Sequence, residues 1–130
     1  MDYTRRIELD TPYEETILLV KEALKEQGFG VLTEIDVRQT MKEKLDIDVA
    51  PQVILGACNP TLAHRALEID PRIAALLPCN VVVRSEGGHT VVDALDPMII
   101  AEVPDSPDLE PVAEEAARRI QAALDRLQPA

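Results

Sequence analysis

Aromatic residues are almost missing from this chain: Tyr3, Tyr13 and Phe29 are the whole set, and there is no tryptophan. The core must therefore be built from Val, Ile, Leu and Ala. The scarcity also removes the rings on which unpaired bases stack. Basic residues are short as well, 13 against 24 acidic ones, for a net charge of −11. Such a surface repels phosphate backbones and anionic membranes, so neither nucleic acid nor a membrane is an expected partner. No apolar run reaches the ~18 residues of a membrane span. The opening Met1-Asp2-Tyr3-Thr4-Arg5-Arg6 carries no apolar signal core. The expected location is the cytoplasm, where thiols stay reduced. No Ser-His-Asp order, phosphate loop or dinucleotide fingerprint is present. Asp46-Ile47-Asp48 lacks the further ligands and the glycine of a calcium loop.

Cysteine and asparagine are the other rarities. Cys58 and Cys79 are the only cysteines, Asn59 and Asn80 the only asparagines, and each asparagine directly follows a cysteine. Low asparagine, abundant Glu and Arg, and ten prolines point toward a heat-adapted, thermostable protein.

A length of 130 residues fits one domain, residues 1–130. Tyr3 to Leu9 alternates as a half-exposed strand. Thr11-Pro12-Tyr13-Glu14 reads as a capping box opening a helix, whose stripe is Tyr13, Ile17, Val20 and Leu24 and whose stop is Gly28. Gly30 to Val37 is a second strand, with Val31, Thr33, Ile35 and Val37 on one face. Arg38 to Leu45 reads as a short, charged surface helix. Gln52 to Ala57 is a near-continuous apolar strand, expected to be buried on both faces.

Pro60 to Ile69 reads as a helix stopped by Asp70-Pro71. Val81–Arg84 and Thr90–Leu95 form a hairpin across Ser85-Glu86-Gly87-Gly88-His89. Met98 to Val103 fits a strand or a short helix equally. Leu109 to Leu127 is the last helix, with Val112, Ala116, Ile120, Ala123, Leu124 and Leu127 inward. Glu114–Arg118 and Glu115–Arg119 are its expected surface pairs. The fold class is α+β: an antiparallel sheet of about five strands with two long helices on one face, in the order β-α-β-β-[short α]-β-β-α.

Gly56-Ala57-Cys58-Asn59-Pro60, Asp70-Pro71 and Leu76-Leu77-Pro78-Cys79-Asn80-Val81-Val82-Val83 resemble an uncharacterised bacterial and archaeal family, domain of unknown function number 302. The opening helix, the glycine hairpin and Asp96-Pro97 look alike too. The resemblance implies a fold like that of TATA-binding-protein-like domains, with a curved sheet and helices on one side. It also implies a homodimer. It implies no activity.

Cys58 stands where a strand ends and a helix begins, with Asn59 as cap and Pro60 as first helical residue. A thiol at that positive helix end is expected to have a lowered pKa. Cys79 opens a later strand. The two thiols share one sheet edge only if their strands are adjacent and antiparallel. A close pair leaves three chemistries open: a soft zinc or copper site of Cys58, Cys79 and His64, completed across a dimer; a reversible disulfide; or nucleophilic catalysis by Cys58 with His64 as base. Purely structural cysteines are the fourth reading. A ligand pocket between sheet and helices would gather Cys58, Asn59, Cys79 and Asn80. The leading expectation is a homodimeric ligand- or metal-binding or interaction protein without catalytic residues. A cysteine-dependent redox or transfer enzyme is the alternative.

Overall fold

The alternating apolar segments become five strands, and the longer-period segments become helices above them. The structure is a computed structural model that describes residues 2–128. The chain runs β1 (Thr4–Leu9), α1 (Tyr13–Glu26), β2 (Gly30–Asp36), α2 (Val37–Leu45), β3 (Gln52–Cys58), α3 (Pro60–Ile69), a 3₁₀ helix (Pro71–Leu76), β4 (Cys79–Glu86) and β5 (His89–Leu95). It then closes with α4 (Ile99–Glu102), a 3₁₀ turn (Pro107–Leu109) and α5 (Glu110–Leu127). The strands form one sheet in the order β1-β5-β4-β3-β2, with every neighbouring pair antiparallel. The fold is α+β. No helix among the described residues is long and apolar enough to cross a membrane.

Alternation along each strand and the register between strands put one set of side chains on the helix side. Ile7, Val92, Val83 and Val53 form one row across the sheet, and Ala94, Val81 and Leu55 another. All seven are buried, packed against Val20, Ala23 and Leu24 of α1 and Ile120, Ala123 and Leu124 of α5. Phe29 is the one aromatic side chain buried there. A second apolar cluster sits at the end of this layer, where Leu62 and Ala66 of α3 meet Ile73, Ile100, Leu109, Val112 and Ala116.

The opposite face of the sheet is largely exposed, although Val91 and Asp93 on it are buried. β3 is therefore not buried on both sides: Val53, Leu55 and Ala57 are buried, whereas Gln52, Ile54 and Cys58 are only half-buried. That face carries an ionic ladder instead. Arg6 Nε donates to Asp93 Oδ1 at 2.8 Å, Arg84 Nη1 pairs with the other Asp93 oxygen, and Arg84 Nε reaches Glu86 Oε2 at 2.9 Å. Burial pushes the Asp93 carboxyl up, but its bonds to Arg6 and Arg84 outweigh that and leave its pKa lowered.

Local differences from expectation have local causes. Pro12, not Thr11, occupies the cap position of α1, and no side chain caps it. The Thr16 hydroxyl instead donates to the carbonyls of Thr11 and Pro12 at 3.2 and 2.9 Å. A bulge between Val31 and Thr33 breaks the single face expected for β2, and Val37 belongs to α2. The hairpin between β4 and β5 turns on Gly87 and Gly88 alone, both at positive φ, as a two-residue hairpin demands. Met98–Val103 resolves as the short helix α4. On α5, Glu115 takes both Arg118 and Arg119, while the Glu114–Arg118 pair does not form.

Gly56 is needed where β2, β3 and β4 meet. A Cβ there would collide with Thr33 Oγ1 and stand 2.9 Å from Pro78 Cγ. Gly30, also in the sheet, has open space for one. Gly56→Ala is expected to cost about 1–3 kcal/mol in a urea melt, and Gly30→Ala within about 0.5 kcal/mol. Equal costs would show that Thr33 and Pro78 do not clamp this position.

Candidate functional site

The antiparallel pairing of β3 with β4 decides where the two Cys-Asn dipeptides lie. Gly56 pairs with Asn80 and Ala57 with Cys79. The C-terminal end of β3 and the first residue of β4 therefore share one end of the sheet. The chain between them, α3 and the 3₁₀ helix, leaves that end and returns to it. Cys79 falls on the helix side with Val81 and Val83 and is buried. Its direct partner is Ala57, so Cys58 is one residue out of step with it.

Cys58 and Cys79 nevertheless border the same cavity. Half-buried Cys58, Ala63 and Leu77 stand at its mouth. Buried Leu62, Ala66, Cys79, Ile100, Val112 and Ala116 form its floor, and Phe29 closes one side. Water centres have about 20 Å³ of room in it, enough for about one molecule. The lining is apolar apart from the two thiols and Asn59.

Both thiols are held in the neutral form. Burial pushes the Cys79 thiol up to about 11, with the nearby charge of a Cys58 thiolate adding to the rise. Burial also raises the Cys58 thiol. The lowered pKa expected at the start of α3 is thus reversed. One of the amides that would solvate a thiolate there is already used: Asn59 Oδ1 accepts from Leu62 N at 3.2 Å. Desolvation then has nothing strong enough to oppose it. Neither cysteine is in a disulfide.

Asn59 is occupied at both ends of its amide. Its Nδ2 donates to the Gln27 carbonyl at 3.4 Å, and Arg119 Nη1 donates to the same carbonyl at 3.2 Å. The end of α1, the start of α3 and the middle of α5 are tied together at that one oxygen. Gly28, at φ +83°, lets the chain pass close by: a Cβ there would lie 3.0 Å from Asn59 Nδ2. The structure thus brings Cys58, Asn59 and Cys79 to one place.

Asn80 and His64 are placed elsewhere. Asn80 is exposed and sits opposite Gly56 on the open face, because strand alternation turns it away from Cys79. The His64 side chain is 76% exposed, and its Nδ1 lies 3.2 Å from Glu68 Oε1 one turn along α3. Among the described residues no three His, Cys, Asp or Glu side chains converge as a metal cage. Sequence reasoning placed Arg119 only in its pair with Glu115 and Val112 only in the buried stripe of the last helix, and gave the cavity walls Leu77 and Ile100 no role. Their roles depend on which helices meet at this end of the sheet. Phe29 alone carried a signal, as the chain's only phenylalanine.

The raised thiol has a signed consequence for stability. Folded Cys79 keeps its proton where the unfolded chain has lost it. Its contribution is whole below the ordinary thiol value and is lost as pH rises through about 11. The loss is on the order of 3 kcal/mol. Urea melts of the wild type should weaken across that window relative to Cys79→Ala. Iodoacetamide at pH 8 should leave Cys79 unmodified until the protein unfolds. Rapid native alkylation of Cys79 would contradict its burial.

Residues 5–127 match the family described as domain of unknown function DUF302. No curated protein matches the chain. Among solved structures it is similar to an uncharacterised conserved DUF302 protein from Bacillus stearothermophilus. The two are 33% identical with a TM-score of 0.92, over 98% of this chain and 100% of that one. With the family matched over nearly its whole length and the fold shared with a solved member, the chain belongs to the DUF302 family.

Proposed function

We propose that this chain is a small, homodimeric, cytoplasmic binding protein without catalytic chemistry of its own. Its ligand site is the cavity at the Cys58–Cys79 end of the sheet, and the ligand class is apolar and uncharged. One observation carries this reading. The cavity presents carbon side chains and two thiols that burial keeps neutral, and its single amide, Asn59, is already bonded on both sides. A charged or strongly polar ligand would lose its water there and gain no partner. The limited room means that a ligand enters as an apolar tip past Cys58, Ala63 and Leu77.

A nucleophile or a redox cysteine works as a thiolate, so the cysteine-dependent transfer alternative finds no support in these two thiols. The same protonation weakens a soft metal site, and His64, exposed beside Glu68, is not among the residues that line the cavity. Homodimeric assembly is supported by the large apolar side chains left in solvent, Leu32, Ile35, Leu45 and Ile47 among them.

Thermal unfolding with 1-hexanol as probe tests the cavity, since its methyl end matches the room available and its hydroxyl can stay in water. Binding to the folded state alone raises Tm by mass action. The wild type is expected to shift upward with 1-hexanol, and Ala63→Leu, which fills the mouth, to show no shift. A shift with zinc and none with 1-hexanol would overturn the reading, as would an undiminished 1-hexanol shift in the filled variant.

A further inference from the structure

From residue 31 to residue 50 the chain has no buried side chain. This arm consists of β2 after its first residue, all of α2 and the loop that follows. It is rich in apolar groups nonetheless: Leu32 is 67% exposed, Ile35 47%, Leu45 62% and Ile47 45%. Val37, Met41 and Leu45 recur every fourth residue along α2, the spacing of a buried helical stripe, yet α2 buries none of its nine residues. Helices this short are marginal in water and draw their stability from packing an apolar side. β2 is also an edge strand, with one row of backbone groups unpaired.

We propose that a second copy of this chain docks on the arm, with the two arms related by a twofold axis. The inference rests on the homodimer reading above and is independent of the cavity ligand. Charge complementarity selects the occupant. α2 carries Arg38, Lys42 and Lys44 against one acid, Glu43, while β2 carries Glu34 and Asp36 and the following loop Asp46 and Asp48. Among the described residues Lys42 reaches Asp46 and Asp48, and Lys21 takes Glu34, but Arg38 and Lys44 form no ion pair within the chain.

A net basic helix flanked by an acidic strand and an acidic loop can meet a second copy of itself under a twofold axis, basic against acidic, as an isologous interface requires. Each copy carries −11, so the contact has to rest on the apolar stripe and on these local pairs.

Sedimentation velocity over a range of concentrations tests the proposal on the full chain. The variants are Leu45→Glu and Leu32→Glu on the arm, with Leu18→Glu on α1, equally exposed at 67%, as control. Circular dichroism checks that each is folded. Wild type and Leu18→Glu are expected at twice the chain mass, and the arm variants as monomers or with dissociation constants raised at least tenfold. A dimer that survives both arm variants overturns the docking site and leaves the homodimer standing. Dissociation by Leu18→Glu alone moves the interface to α1 and also overturns it. A wild type that stays monomeric at every concentration overturns both.

Discussion

The antiparallel pairing of β3 with β4 is the constraint on which the rest of the molecule depends. It sets Ala57 opposite Cys79 and Gly56 opposite Asn80. The chain between those residues must leave and re-enter the sheet at one end, so α3 and the 3₁₀ helix arch over that end. The cavity is the space left beneath the arch, closed by α4 and α5. Gly56 permits the strands to approach there, and Asn59 fixes the direction of α3. A parallel arrangement of the same two strands would have carried Cys79 to the far end of the sheet.

Two effects compete for the thiols, and their sizes decide the chemistry. A helix start favours a negative charge by up to about 1 kcal/mol when exposed. Burial of a charge without a partner costs considerably more. At Cys58 and Cys79 burial prevails, so both side chains behave as small apolar groups with a weak donor. This is why the site reads as a receptor for an apolar group. The charged chemistry of the molecule lies on the other face of the sheet, where Arg6, Asp93, Arg84 and Glu86 satisfy one another.

Much of the frame was legible in the sequence because it depends on local periodicity. The stripe Val20–Leu24 of α1, the stripe Val112–Leu124 of α5 and the Gly87-Gly88 hairpin follow from spacing alone. So does Asn59 as a helix cap, since Asn-Pro at a strand end satisfies a free amide by local geometry. What escaped was non-local. Asn80 looks like a companion of Cys79 in sequence, but adjacent residues of a strand face opposite sides. The pKa of Cys58 was misjudged because its desolvation comes from residues distant in sequence, Phe29 and Leu77 among them. The β2 bulge and the displaced cap of α1 turn on single-residue shifts that periodicity does not resolve.

Native-state amide hydrogen exchange tests this dependence on β3 and β4 most directly. If their pairing is the frame, the amides of residues 53–57 and 80–83 exchange only by global unfolding, with the full free energy of the protein. The amides of α3 should open at lower energy without releasing them. Exchange of the β3–β4 amides through a local opening, while α3 and the cavity floor remain protected, would contradict the account.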